Sequence, residues 1–290
     1  MKFDKNTKIL IVGLGLIGGS YAKALSDNGY FVGAIDKKKS SVEYALKNGL
    51  IQVGETSVKK DFVKDFDLIV FALYPHDFIN WIKEYQSSIK SGALITDVTG
   101  VKSFVVENVQ KILRGDLEFV GAHPMAGKEV SGVENADSKI FVGANYIVTP
   151  TKKNTDENVQ AVKDLGRALG FERISSLSPE EHDETVGFLS HLTHCIAVSL
   201  MVSKKSQHLA EYTGDSFRDL TRIAKINDEM WSELFLANKD ELLKQMDLFE
   251  EKFNQLKEDI KNDNREKIRE TLRESTARRK VFDKDAKETK

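Results

Sequence analysis

The first half of the chain alternates short apolar runs with longer stretches whose charged residues are spaced for helices, the pattern of a parallel sheet covered by helices. Lys8-Ile-Leu-Ile-Val12 is nearly continuous in apolar residues, as a strand buried on both faces requires. Similar runs recur at residues 30–35, 68–73, 93–96 and 117–120. Residues 146–149, a helical stretch over about 155–169 and residues 171–174 read as one more such unit, which extends the first domain to residue 176. From Pro179 onward strand patterns stop and Glu, Lys, Leu and Arg predominate, so residues 177–290 read as an all-helical domain. There Leu242, Met246, Phe249, Phe253, Leu256 and Ile260 recur at steps of four, three, four, three and four, the period of a helix seam. That stripe is either intramolecular core or a homodimer interface. The charged stretch from Asp263 to Lys290 reads as a helix with a frayed end.

Composition narrows the class. At 290 residues, 40% hydrophobic and 30% charged with four prolines, the chain is globular and long enough for two domains. Forty-three basic against forty-five acidic residues leave a net charge of −2, so no global field favours nucleic acid or an anionic membrane as partner, and small substrates fit better. The single cysteine, Cys195, forms no internal disulfide and no thiolate metal site, which suits a reducing cytoplasm. No run is read as a membrane span, the N-terminus is too charged for a signal peptide, and no metal site is expected.

Directly after the first apolar run stands Gly13-Leu-Gly15-Leu-Ile-Gly18, the spacing G-x-G-x-x-G, followed by a helical stretch. Gly13 suits a tight turn, Gly15 lets a pyrophosphate approach the backbone, and Gly18 lets the helix sit close to the strand. Asp36 ends the second strand twenty-three positions beyond Gly13, where its carboxylate can accept from an adenosine ribose and repel the extra phosphate of NADP. NAD is therefore favoured, although Lys37, Lys38 and Lys39 partly offset the repulsion. Leu16 and Ile17 within the fingerprint, and Leu73 and Pro75 after the 68–73 run, complete the expected cofactor-binding set.

Candidate chemistry for a substrate lies further on. In Gly121-Ala-His123-Pro124, a histidine before proline is held extended, near a strand end where ligands bind in such sheets. Its imidazole either takes a proton from a substrate hydroxyl or is a structural group bonded to the loop. In the helical half, Ser190 and His194 are four apart and share one helix face, while His191 lies over Cys195. A nucleophilic Cys-His pair is conceivable there, but packing is the commoner meaning of that spacing. Asp219 and Arg222 are three apart, the aspartate placed to hold a guanidinium that suits a carboxylate, or to form a solvated ion pair with it. Asn227 is placed to cap a helix carrying Trp231.

Taken in order, these segments resemble the prephenate and arogenate dehydrogenases of tyrosine biosynthesis over residues of about 8–280. The motifs are Gly13-x-Gly15-x-x-Gly18-Gly-Ser, Asp97-Val-Thr99-Gly100-Val-Lys102, Gly121-Ala-His123-Pro-Met-Ala-Gly-Lys-Glu129, Ser190-His-Leu-Thr-His194, and Phe217-Arg-Asp-Leu-Thr-Arg222 followed by Trp231. The resemblance implies a Rossmann-like domain, a helical domain that dimerises, an active site in the cleft between them, and NAD-dependent oxidative decarboxylation of prephenate or arogenate. It makes His123 the catalytic histidine and assigns His194 and Arg222, with Ser190 nearby, to the substrate's anionic groups. Glu129 is placed at the mouth of the cleft, Trp231 is counted with the substrate residues, and His182 is given a part in opening the domains. Where the family often has a serine beside the catalytic histidine, this chain has Gly100, and Thr99 is the neighbouring hydroxyl that could stand in for it. Tyrosine, if it inhibits, is expected to compete at the active site, because no C-terminal regulatory domain is evident. A hydroxyacid dehydrogenase of similar build would use a lysine base in the helical domain, and a dinucleotide-sensing regulator would need neither His123 nor His194 and Arg222.

Overall fold

The computed structural model describes residues 1–205 and 208–282. The apolar runs form β1 (Lys8–Val12), β2 (Phe31–Ile35), β3 (Val53–Glu55), β4 (Leu68–Phe71), β5 (Leu94–Asp97) and β6 (Glu118–Phe119). They pair in parallel in the order β3-β2-β1-β4-β5-β6, so the strand order reverses between β1 and β4. Alternation along β1 shows why both faces are covered. Ile9 and Ile11 join one apolar core with Tyr21, Ala22 and Leu25, whereas Leu10 and Val12 join a second with Phe78 and Ile82. Those side chains come from α1 (Leu16–Asp27) and α4 (Pro75–Tyr85); α2 (Lys39–Lys47), α3 (Lys60–Val63) and α5 (Ser103–Ile112) complete the crossovers.

The 117–120 run does not end the sheet in the simple way expected. After β6 the chain passes at once into β7 (Gly121–Met125), which belongs to a second sheet ordered β7-β8-β9. There β7 runs antiparallel to β8 (Asn145–Thr149), and β8 pairs in parallel with β9 (Arg173–Ser176) across α6 (Asp156–Ala168). The last β-α-β unit therefore exists but builds its own sheet. Gly121 permits the crossing, since a Cβ there would stand 2.5 Å from Thr149 Oγ1. In consequence His123 lies inside a strand, opposite Ile147, and not in a loop beyond a strand end.

Strands cease at Ser176, and α7 (Pro179–Val186), α8 (Thr193–Val202), α9 (Asp215–Thr221), α10 (Asp228–Ala237), α11 (Lys239–Lys261) and α12 (Arg265–Arg279) follow. The chain forms two compact units, Met1–Lys239 and Asp240–Lys290. Polar ties bind the first unit across residue 176: Asp183 of α7 accepts the backbone N–H groups of Lys102 and Ser103, and Glu233 of α10 accepts that of His76. Between α7 and α8, residues Gly187–Leu192 form a π-helical segment within one continuous helical run. That run, Pro179–Val202, is long and apolar enough to cross a membrane by length and composition, contrary to the sequence reading. It nevertheless carries His182, Asp183 and His191 fully inside the fold. In the second unit, Phe249, Phe253 and Ile260 of the predicted seam stay exposed along α11. Of the predicted frayed helix, residues 265–279 are helical and residues 283–290 lie outside the described residues.

Candidate active site

The glycine turn joins β1 to α1 at the point where strand order reverses, the place at which open parallel sheets bind ligands. Gly13 has φ +99°, and a Cβ on it would stand 2.4 Å from the carbonyl oxygen of Ala72. At Gly18 a Cβ would stand 1.9 Å from the carbonyl oxygen of Gly13, so the helix can approach only without a side chain. Gly15 differs: nothing lies within 4 Å of its Cβ position, and no side chain caps α1 behind it. Asp36 is pinned beside this cradle, Oδ2 accepting the N–H of Leu14 at 2.6 Å and Oδ1 that of Lys38 at 2.7 Å. An open cradle, a bare helix N-terminus and a carboxylate at the next strand end fit the pyrophosphate and ribose of a dinucleotide. Leu16 is buried and Ile17 packs on the core, so their side chains serve the fold while their backbone opens the helix. Leu73 borders Gly13, and Pro75 is the first residue of α4.

Beyond β5 lies a buried ion pair. Lys102 Nζ stands 2.6 Å from Asp97 Oδ2, with both side chains fully buried. Asp97 also accepts the N–H groups of Thr99 and Ala122 and the hydroxyl of Thr99, which supplies the further bonds that a buried pair requires. Thr99, expected to offer a hydroxyl beside the substrate, is 4% exposed, and its hydroxyl is occupied in this network, bonding Asp97 and the Val101 carbonyl and accepting from Lys102 Nζ at 3.0 Å. Gly100 faces the other way: a Cβ there would meet Leu234 at 3.4 Å and His123 Nε2 at 3.8 Å.

His123 Nδ1 lies 2.9 Å from His182 Nε2, and His182 Nδ1 lies 2.8 Å from Asp183 Oδ1. Burial first, then the neighbouring charges of His182, Lys102 and His191, holds the His123 imidazole well below its ordinary pKa. His182 is lowered as well, by burial, against the opposing pull of Asp183. For Asp183 burial works against ionisation, but the bonds from His182 and the backbone outweigh it and keep the carboxyl low. The result is a neutral imidazole with one nitrogen held and the other facing the space beside Gly100.

A second group forms around Trp231. His194 stacks on the indole with centroids 3.7 Å apart and 29° between planes, and His191 meets it edge-on at 6.0 Å. The π-helical segment turns the carbonyl of Ser190 toward His194 Nδ1, at 2.8 Å. It is thus the backbone of Ser190 that holds His194. Arg222 ion-pairs with Glu129 and is 64% exposed, so the expected intrahelical partner Asp219 is replaced by a residue of another segment. Burial, joined by the charge of Arg222, lowers the pKa of His194 against the Ser190 carbonyl and Glu129. Asn227 caps α10 as expected, accepting from Met230 N–H at 3.0 Å.

Sequence reasoning missed three participants. Asp183 and Asn238 have no role in the sequence reading, and His191, within the Ser190-His-Leu-Thr-His194 motif, reads there only as packing over Cys195; Asn238 Nδ2 joins the Asp183 carbonyl at 2.9 Å to His191 Nδ1 at 3.2 Å. That bond, and burial that pushes His191 down to about 4, removes it from any pairing with Cys195, whose thiol is itself pushed up by burial. The spacing of Lys102 behind Asp97 was visible in the sequence, and a lysine inside an otherwise apolar segment was the signal.

Two family models cover most of the chain: the nucleotide-binding domain of prephenate dehydrogenase at residues 21–173 and the dimerization domain of prephenate dehydrogenase at residues 178–274. The chain is 36% identical to the prephenate dehydrogenase of Bacillus subtilis over 82% of its own length and 66% of the relative's, so it spans about two thirds of that protein. It is similar, at TM-score 0.87 and 34% identity, to a prephenate dehydrogenase of Aquifex aeolicus solved with hydroxyphenyl propionate and NAD+, covering 96% of this chain and 98% of that one. A Synechocystis arogenate dehydrogenase superposes at TM-score 0.82 and 25% identity, covering 96% and 100%. Both family models and these solved structures point to one group of proteins, and this chain belongs to the prephenate dehydrogenase family.

Proposed function

We propose that this chain catalyses the NAD-dependent oxidative decarboxylation of prephenate to 4-hydroxyphenylpyruvate, the dehydrogenase step of tyrosine biosynthesis. The observation that carries the reading is His123, neutral and anchored at Nδ1, with Nε2 facing the space beside Gly100. NAD+, when bound, accepts the hydride from the ring carbon that bears the hydroxyl. Gly13, Gly15 and Gly18 shape the phosphate cradle, the backbone at Leu16 and Ile17 opens α1 toward it, Leu73 borders Gly13, and Pro75 at the start of α4 completes the set. Asp36 accepts from the ribose and disfavours the extra phosphate of NADP.

His123 Nε2 takes the hydroxyl proton as the carbonyl forms. Loss of carbon dioxide leaves the ring aromatic, which supplies the driving force, so the protein needs chiefly orientation and a base. Arg222 holds a substrate carboxylate once that carboxylate replaces Glu129, and His194 and Trp231 line the same side. Two copies join through the apolar stripe of α11 left exposed in one chain, and the enzyme works in the cytoplasm with Cys195 reduced. The test is an assay of prephenate and arogenate, each with NAD+ and with NADP+, following reduction of the nicotinamide. Prephenate with NAD+ should give the highest kcat/KM, and tyrosine should compete with prephenate. No reduction with either substrate would refute the reading.

A further inference from the structure

The hydrogen bonds behind His123 settle where its proton sits, and this bears on the base role proposed above. Asp183 accepts the N–H of Lys102 on Oδ1 and the N–H of Ser103 on Oδ2, each at 2.8 Å, at the N-terminus of α5. A carboxylate so placed is stabilised as an anion and only accepts. The hydrogen between Asp183 Oδ1 and His182 Nδ1, 2.8 Å apart, therefore belongs to His182. A neutral imidazole carries one N–H, so His182 Nε2 is an acceptor. The next bond, 2.9 Å long, must then take its hydrogen from His123 Nδ1. That leaves the lone pair of His123 on Nε2, on the side of Gly100. This assignment follows from donors and acceptors alone.

We propose that His182 is a positioning residue: anchored by Asp183, it fixes His123 in the Nδ1–H tautomer and so keeps Nε2 free to take the hydroxyl proton. The role differs from the domain-opening part that the family resemblance gives His182. Full burial of His182 keeps water from competing for either ring nitrogen. Once His123 is protonated on Nε2, its bond to His182 becomes charge-assisted, and the Asp183 anion lies on the far side of that ring. The other charged or titratable groups facing the pair are Lys102, neutralised by Asp97, and His191, which is held neutral.

Two substitutions separate positioning from packing. His182→Phe keeps a ring and removes both bonds. His182→Gln presents a carbonyl to His123 and an amide N–H to Asp183, the same order of acceptor and donor, without a titratable group. Expected are a fall in kcat of about 10- to 100-fold for the phenylalanine variant, as for other lost orienting partners, with KM for prephenate within about twofold, and recovery of most of that loss in the glutamine variant. Nitrogen NMR of the substrate-free parent should show His123 protonated at Nδ1 and bare at Nε2, and a mixed state in the phenylalanine variant. Parent kcat in His182→Phe, equal losses in both variants, or a parent His123 protonated at Nε2 would each overturn the proposal. If His182→Phe does not fold, the glutamine variant and the parent spectrum decide. Failure of the parent to reduce NAD+ would instead remove the proposed function, and the spectrum would still decide the tautomer.

Discussion

The two ends of the candidate site are built on opposite principles. Around His123 the polar groups are buried, each bonded on more than one side, and tied by Asp183 to the start of α5 and by Asp97 to the second sheet at Ala122. Around Arg222 the guanidinium is mostly exposed and its partner Glu129 is a single carboxylate from another segment. The first arrangement fixes geometry and proton position, which a proton transfer during hydride loss requires. The second can exchange one anion for another, as a carboxylate clamp must. An exposed ion pair contributes about 0–1 kcal/mol, so giving up Glu129 for a substrate carboxylate costs little.

Damage at the buried end should be largest. His123→Asn should lower kcat by about a thousandfold while leaving KM for prephenate within a few fold, because only the proton acceptor is lost. Steady-state kinetics check this, and an unchanged kcat would remove His123 as the base. Acid should find the same end. His191 is held at about 4 in the fold against an ordinary 6.5, and His123 and His182 are also lowered. Between those values the unfolded chain binds protons that the folded chain refuses. Stability is therefore full above pH 6.5 and falls as pH drops toward 4, by about 3 kcal/mol from His191 alone. Thermal unfolding followed from neutral pH downward measures it, and a flat Tm across that window would contradict the buried, neutral cluster.

At the exposed end, Arg222→Gln should raise KM for prephenate by about 10- to 30-fold, equivalent to about 2 kcal/mol of a charge-assisted bond, with kcat changed much less. A fall in kcat alone would place Arg222 at the buried, geometric end instead. The smallest effect belongs to the boundary between the two. Gly100→Ser adds a side chain where the nearest neighbours, Leu234 and His123, leave ordinary contact distances. Turnover should be unchanged or rise by up to about tenfold, the worth of one hydrogen bond. Loss of kcat with the fold intact would show that the backbone there depends on glycine.

How far the sequence could be read follows the same division. The parallel sheet, the glycine turn and Asp36 were legible because each depends on local pattern: alternation, spacing, and a residue that must lack a Cβ. The second sheet was not, because nothing in the run 117–120 marks the point at which the strand leaves one sheet for another. His123, His194 and Arg222 stand in recognisable motifs. The partners of His123, His191 and Arg222, namely His182, Asn238 and Glu129, lie 59, 47 and 93 positions away respectively, and such pairings come from tertiary packing. Thr99 illustrates the limit from the other side, since a hydroxyl beside the right glycine was turned inward by a buried ion pair.

The π-helical turn at Gly187–Leu192 acts as a phase adjuster. A wider turn holds about one residue more than an α-turn, so the helix beyond it is rotated by about 100° relative to the helix before it. His182 and His194 sit on opposite sides of that adjustment, and a helical wheel drawn through both assigns one of them to the wrong face. Removing a single residue from the turn would leave the first half of the run in register with Asp183 and α5 while sliding His194 off Trp231. One inserted residue thus lets a single continuous rod serve two separately oriented jobs, with no loop between them.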